Sequence, residues 1–476
     1  MQDGRLRRET RYSGDVSPAA PMKRKDPFFA AVLASSLIFS PAALAQTPST
    51  GAGTSKSLQR IESVLLNSDG QEQANAATTL EKAMVISKKS QMEAFPILMR
   101  ALSSPDETLR FYAACSFGFA VEKGVDISQA IPVLADILSG KYPRHIGCCD
   151  PGSSDEGCYS RDRGAAIETL QNALTNEKTK EKALSPLITA LSSPEGWVRA
   201  NVAQALGDIP LLEVYVPEVI PALRKALSDS SELVWSKASW GLARFLRNEK
   251  TRETAFSTVI EALSDPDPRA RKGAAHTLDC AARLSDFAAG PFGYLTPHNA
   301  RSKLDISRAI PALTKMVSDV EDWTVGMHDM PEDISAAAEA CDDLEYAARQ
   351  GADISRAIPA LAKAVSGRGV GVGALKEAAK HGVDISEAIP DLKIMFLRSD
   401  LLNPDSASGW LAAEALVHAD AKGAEYVTTK LKEFKESSLY LMEAKGKTER
   451  FVKARKRINR ITEAAKEAKS EIQVRE

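Results

Sequence analysis

A short helical pattern with a proline near its start recurs along most of this chain. In one copy, Val219 to Leu246, apolar residues recur every three or four positions on both sides of a polar turn, Ser228 to Ser231. This spacing predicts two short amphipathic helices. A helix pair of this size cannot bury both apolar stripes alone, so it needs similar pairs on either side. Seven copies carry the proline, at Pro96, Pro132, Pro186, Pro221, Pro311, Pro359 and Pro390, and Ser257 takes its place in an eighth.

The spacing of these positions predicts a stack of helix pairs. Successive positions are 36, 54, 35, 36, 54, 48 and 31 residues apart, and a base period of about 35 is typical of α-solenoids. A ninth, less regular unit is expected at residues 58–88. The long spacings locate insertions at 140–161 and 320–333, inside units, and at 286–303, between units. The two insertions inside units are expected on the same edge of the stack.

Four units carry the motif Asp-Ile-Ser-x-Ala-Ile-Pro, beginning at Asp126, Asp305, Asp353 and Asp384. An aspartate in this position is a good helix N-cap, because its carboxylate accepts from the free amides of the first turn. The proline six residues later would then lie too deep in the helix for a free first-turn position. It is therefore predicted to bend the helix.

The units resemble the HEAT-repeat family, in particular the short HEAT-like repeats also seen in phycobilisome lyases. The first-helix proline, the turn Ser-Asp-Pro-Asp-Pro at 264–268 and second helices such as 197–207 carry the resemblance, which covers roughly residues 56–425. It implies an all-α, right-handed α-solenoid of about nine helix pairs. It also implies that Arg110, Arg199 and Arg271 pair with acids of a neighbouring turn. Since the repeat is a packing motif, it says little about activity.

The two ends of the chain differ from this body. Residues 1–45 are interpreted as an N-terminal extension and a cleavable signal peptide: a basic segment after Met22, the better candidate start, precedes an apolar run of about twelve residues and an Ala43-x-Ala45 site. The solenoid is assigned to 46–425, and a charged helical segment that caps it to 426–476. The expected location is the periplasm or the exterior, with no stable membrane insertion after cleavage.

Charge is distributed unevenly along the chain. Residues 46–429 carry a net charge of −11, whereas residues 430–476 carry +6, with 14 basic and 8 acidic residues. An acidic body gives no indication of nucleic-acid binding, so the expected partner is a protein.

Superposed second helices predict a binding surface. Positions beside the packed columns are expected to face away from the core, and tryptophan and arginine are enriched where binding energy concentrates. Three of the five tryptophans of the chain lie in two adjacent units, although each could instead fill a gap between repeats. The predicted partner-binding residues are Trp197, Arg199, Asn201, Gln204, Trp235, Lys237, Trp240, Arg244 and His276.

The cysteines indicate a stapled loop more than a metal site. In an exported protein, Cys158 could form a disulfide with Cys148 or Cys149. A zinc site that adds His145 is the weaker alternative, because the spacing lacks a Cys-x-x-Cys pair. Cys115, Cys280 and Cys341 are expected to be small buried groups.

The sequence favours an exported, non-catalytic scaffold that binds a protein through its concave groove and rim insertions. No catalytic residue, metal ligand or cofactor is assigned, and whether the chain has any enzymatic activity is left undecided. His-Glu dipeptides are absent, which argues against the di-iron HEAT-repeat hydroxylases. Two alternatives stay open: an enzyme or chromophore chaperone that resembles the bilin lyases, and a metal-binding sensor built on the cysteine loop.

Overall fold

The computed structural model describes residues 52–68, 70–142, 160–212, 218–286, 304–324, 330–398, 407–443 and 456–467. The chain divides into two compact units, Met1–Ser63 and Val64–Glu476. Of the first unit, the described part is the start of helix α1, Ala52–Asn67, which continues into the second unit.

All regular secondary structure among the described residues is helical, with no strand among them. Short 3₁₀ turns at 209–212, 307–309, 355–357 and 386–388 accompany the α-helices. After α1, the helices are α2 (Gly70–Ile86), α3 (Lys88–Leu102), α4 (Glu107–Glu122), α5 (Ile131–Leu138), α6 (Arg161–Ala173), α7 (Lys180–Ala190), α8 (Gly196–Gly207), α9 (Val219–Ala226), α10 (Glu232–Arg247), α11 (Arg252–Leu263), α12 (Pro268–Asp286), α13 (Ile310–Ser318), α14 (Glu332–Arg349), α15 (Ile358–Arg368), α16 (Val372–Lys380), α17 (Ile389–Arg398), α18 (Ala407–Ala419), α19 (Ala421–Glu443) and α20 (456–467).

The helices form successive pairs, from α3 with α4 to α17 with α18. The first helix of each pair contains the proline position, so each of the eight units of the proline frame corresponds to one pair. Second helices lie side by side in the order α2, α4, α6, α8, α10, α12, α14, α16, α18, and each contacts the next. This arrangement confirms the all-α class and the stacked-pair architecture.

Small residues on the second helices allow this close stacking. Ala203, Ala238 and Ala274, on three successive second helices, are fully buried. Between α8 and α10 the backbones nearly touch, because Gly207 lies against Gly241. A stack of such helices buries a continuous core of alanine, leucine and valine side chains, which is the main driving force for folding of a repeat array.

The Asp-Ile-Ser motif folds differently from the prediction. The Asp353 Oδ1 atom accepts a hydrogen bond from the Ser355 amide at 2.8 Å, and the other three motif aspartates do the same with the serine two residues on. Hydrogen bonds from this serine lower the pKa of each aspartate. A separate turn follows, and the α-helix begins only at the isoleucine before proline.

The proline is therefore in the first helical turn of these four units. An amide has no helical partner there, so a proline costs nothing and the predicted bend at this residue is wrong. Pro96 and Pro186, which lack the motif, do lie inside α3 and α7.

The insertions and the C-terminal segment occupy the predicted places in the helix order. The segment 143–159 falls between α5 and α6, and 325–329 falls between α13 and α14, so both lie within units. Trp323, which precedes the second of these, is buried against Gly367. The α20 helix packs on α18 through the ion pair between Arg460 and Glu414 at 2.6 Å. Its Ile458 and Ile461 are buried, as expected of a cap. None of the described helices combines the length and the apolar character needed to cross a membrane.

Candidate functional site

An arginine near the start of three second helices ties each unit to the next. Arg199 occupies the fourth position of α8, and its Nη1 donates to the carbonyl oxygens of Ser193 and Pro194 at 2.8 and 3.2 Å. The rest of its guanidinium forms a two-pronged ion pair with Asp229 of the following unit, at 2.7 and 2.8 Å. Burial opposes the charge of Asp229, but hydrogen bonds from Arg199 and the Ser231 amide lower its pKa.

Arg110 and Arg271 repeat this geometry on α4 and α12. Arg110 pairs with Asp162 at 2.6 Å and Arg271 pairs with Asp333, while each also holds two carbonyls of its own turn. This is the pairing that the resemblance implied. For Arg199 it contradicts a primary role in partner binding, because its donors are already engaged within the chain.

On α10, Trp235 occupies the position that this arginine holds on α4, α8 and α12. Its ring receives the Lys272 ammonium at 4.9 Å from the ring centroid and the edge of the His276 ring at 5.3 Å. Both residues are on α12, the next second helix, so an aromatic contact replaces the ion pair between these units. Trp235 therefore packs within the stack, and only part of its side chain is exposed.

Trp197 does not contribute to a binding surface. The residue is 3 % exposed, in the first turn of α8. The α8 helix contacts α6, α7, α9 and α10, so most of its circumference is covered and a large side chain in its first turn is enclosed. The prediction that Trp197 contacts a partner is thus wrong, and the gap-filling interpretation is correct.

The remaining predicted residues reach solvent on the second helices. Gln204 is exposed, whereas Asn201, Lys237, Trp240, Arg244 and His276 are half-buried. Lys237 and Arg244 lie three residues before and four after Trp240, which places all three on one side of α10. We call this group, with Gln204 of α8, the Trp240 patch.

Acidic residues that the sequence analysis did not single out complete the patch. The Arg244 Nη1 atom lies 2.5 Å from Oδ1 of Asp208, at the end of α8. Burial raises the pKa of Asp208, while the charges of Arg244 and Lys237 oppose this shift. His276 places its Nδ1 atom 3.7 Å from the Glu339 carboxylate of α14. Asp208 lies seven residues after Asn201, so helical spacing alone could have identified it.

A second exposed group lies closer to the N-terminus, on α2, α4 and α6. Along α4 the outward residues follow helical spacing, and Glu81 of α2 and Glu168 of α6 flank them. The α4 residues are Tyr112, Cys115, Phe119 and Glu122. The prediction of a buried Cys115 is wrong, because this side chain is exposed, whereas Cys280 and Cys341 are buried as expected.

No group of three or more metal-ligating side chains occurs in the described parts of the chain. The candidate disulfide residues Cys148, Cys149 and Cys158, together with His145, lie outside these parts.

Comparisons with known proteins add the following. Residues 159–243, from the start of α6 into α10, match a family model described as HEAT repeats. No curated protein matches the chain. The solved structures similar to it include an engineered protein, at 17 % identity and a TM-score of 0.38, with 86 % of this chain and 98 % of that chain covered.

Two karyopherins are also similar. Yeast importin-β (Kap95p) has 15 % identity and a TM-score of 0.39, over 87 % of this chain and 52 % of that chain. Karyopherin Kap121p, bound to the extreme C-terminus of the protein phosphatase Cdc14p, has 13 % identity and a TM-score of 0.43, over 90 % and 47 %. This chain thus spans about half the length of either karyopherin. The family match at residues 159–243 gives no indication of the phycobilisome-lyase type. Residues 159–243 thus contain HEAT repeats, and the helix pairs on either side of them continue the same stacked arrangement.

Proposed function

We propose that this chain is an exported, non-catalytic scaffold that binds a protein partner through the outward face of its second helices. We assign the centre of this surface to the Trp240 patch and propose that the insertions within units add further contacts. A stack of small rigid units presents many weak contacts in a constant arrangement, so little conformational freedom is lost when a partner binds.

The half-buried Trp240 is the observation that carries the proposal. Tryptophan offers a large apolar area and an N–H donor, and it is enriched among residues that dominate interface energies. Trp197 is buried and the Trp235 ring packs against Lys272 and His276 of the next unit, so we assign the partner contact to Trp240. Its neighbours Lys237 and Arg244 supply donors for a polar rim.

Partner capture from the native envelope tests this function. The mature chain carrying Trp240→Ala should lose most of the partner that the unmodified chain captures after crosslinking. Met92→Ala is the matched control, because it removes a 71 % exposed apolar side chain from α3, a first helix. Equal capture by both variants would show that the surface lies elsewhere.

Export is the second part of the proposal. Its support is the basic segment, apolar run and Ala43-x-Ala45 site of residues 22–45. N-terminal sequencing of the mature protein should begin at Gln46. A mature protein that retains Met22, or that begins within the repeats, would contradict export by this signal.

A further inference from the structure

The outward face of α2, α4 and α6 combines aromatic rings with carboxylates. The α4 helix lies between α2 and α6 and packs against both, so its remaining side forms the middle of a three-helix surface. Tyr112, Cys115 and Phe119 follow one another along this side at spacings of three and four residues. Glu81, Glu122 and Glu168 surround them. We call these six residues the α4 face.

Cys115 lies at the centre of the α4 face. Cys115 is exposed, yet burial raises the pKa of its thiol to about 12, and the charges of Glu168 and Glu81 add to the shift. Glu81 and Glu168 come from the helices on either side, so they flank Cys115.

Glu122 repels each of the other two carboxylates of the α4 face. Burial raises the pKa of Glu81 to about 7; Lys82 opposes the shift and Glu122 increases it. Burial and the charge of Glu122 also raise the pKa of Glu168. The Asn172 side-chain amide donates to Glu122 at 2.9 Å, which positions this carboxylate without neutralising it. A cation brought to this face would relieve the repulsion.

Cations of the chain already lie at the edge of this face. The Lys123 ammonium is 5.2 Å from the centroid of the Phe119 ring, and Arg161 acts electrostatically on Tyr112. Aromatic faces attract cations, and they also pack against the aliphatic stems of lysine and arginine.

We propose that the α4 face binds a lysine- or arginine-bearing segment of a protein partner. The carboxylates of Glu81 and Glu168 pair with its cations, and Phe119 and Tyr112 pack against its side-chain stems. This assignment rests on the proposed scaffold function and adds the chemistry of the bound segment. The proposed binding depends on aromatic contact as well as charge. It therefore differs from a nonspecific attraction of cations to an acidic protein.

A labelled peptide tests the assignment directly. The probe is a fluorescein-labelled decapeptide of alternating lysine and alanine, with a glutamate–alanine peptide as the negative control, and the readout is anisotropy with the mature full chain. We expect the double variant Glu81→Gln/Glu168→Gln to weaken binding by about tenfold, or about 1.4 kcal/mol. Phe119→Ala should also weaken binding by severalfold, with no change in net charge. Between pH 6 and 8, binding should tighten as Glu81 loses its proton.

The matched control is Glu249→Gln/Glu261→Gln, which changes the net charge equally at two exposed positions away from α4. It should weaken binding by less than about twofold, because distant exposed charges are screened by salt. Equal weakening by the two double variants, an unaffected Phe119→Ala variant, or no binding of the lysine peptide would each overturn the assignment. Circular dichroism establishes that each variant is folded.

Failure of this assignment can be told apart from failure of the proposed function. If partner capture depends on Trp240 but the lysine peptide does not bind, only the assignment of the α4 face is wrong. If the peptide binds at the α4 face but Trp240→Ala leaves partner capture unchanged, the role of the Trp240 patch is wrong and the assignment of the α4 face stands.

Discussion

Arg110 and Asp162 form an ion pair whose side chains are 1 % and 2 % exposed. Arg110 also donates to the carbonyls of Ser104 and Pro105 and lies 5.0 Å from the centroid of the Tyr142 ring. A charge this deeply buried is costly unless its donors are all engaged. The Arg110 guanidinium binds carbonyls of its own turn and the Asp162 carboxylate of the next unit. It therefore stabilises both the local turn and the contact between units.

Removing this arginine should therefore destabilise the stack strongly. We expect Arg110→Ala to reduce the free energy of unfolding by about 3–5 kcal/mol, since Asp162 is left charged and buried. The control is Arg308→Ala, whose ion pair with Glu253 has exposures of 57 % and 75 % and should contribute less than about 1 kcal/mol. Urea unfolding followed by circular dichroism measures both. Similar small losses for the two variants would contradict a structural role for the buried pair.

Glu81 predicts a pH dependence of stability. Its pKa is about 7 in the folded chain against 4.5 for an unperturbed glutamate, so the folded state favours the protonated form. The stability linked to this proton is fully present below about pH 4.5 and is lost as the pH rises through 7. Glutamine cannot ionise, so Glu81→Gln should raise the free energy of unfolding by about 1 kcal/mol at pH 8, after allowance for partial solvent exposure. At pH 4 the substitution should leave the free energy of unfolding unchanged. Thermal unfolding of this variant and of Glu249→Gln at both pH values measures the difference. A gain independent of pH would contradict this origin.

At the scale of elements, the contact between α8 and α10 depends on two glycines. A methyl group added at Gly241 would lie 2.8 Å from the Cα atom of Gly207 and 3.1 Å from Leu223. Backbone atoms cannot move aside as a flexible side chain does, so the helices would have to separate. The centre of the Trp240 patch lies on this same α10 helix, one residue before Gly241.

Gly241→Ala should therefore lower the free energy of unfolding by about 2 kcal/mol through overpacking, although alanine is the better helix former. Gly196→Ala provides the control, since its new methyl group would meet Ser231 at no closer than 3.7 Å. This second change should be neutral or slightly stabilising. Chemical denaturation of the two variants decides the point. A stabilised Gly241→Ala variant would show that the two helices can separate at little cost.

At the scale of the whole stack, each unit depends on its neighbours, and the last unit depends on its cap. Ile458 and Ile461 of α20 are buried, and Arg457 lies 5.9 Å from the centroid of the Trp410 ring on α18. A terminal repeat without a cover exposes an apolar face to water.

Truncation after Glu443 should accordingly loosen the C-terminal end. We expect faster hydrogen exchange in α18, by about tenfold or more, with exchange in α4 unchanged because distant repeats do not share contacts. Trp410 fluorescence should shift to longer wavelength. Arg460→Ala, which removes only the ion pair with Glu414, should have a much smaller effect. Uniform acceleration along the chain would argue for one cooperative unit instead.

Much of the fold could be predicted from periodicity alone. The proline frame located each helix pair, and the long spacings located the insertions, because apolar spacing along a helix is a local property. The motif aspartates were predicted to cap the α-helix, but each closes a separate turn before that helix begins. Whether Asp353 caps the α-helix or closes a turn before it differs by only a few backbone angles.

The candidate sites depended on neighbours that are distant in sequence. Trp197 and Trp240 both lie on second helices, yet one is enclosed and the other is half-buried, because exposure depends on what packs on each side of the helix. Glu81, Cys115 and Glu168 come together only because α2, α4 and α6 stack. The amino-acid pattern alone therefore determined the repeat, its period and its packed columns. Only the tertiary structure decided which side chains remain available to a partner, since that depends on contacts between helices rather than within them.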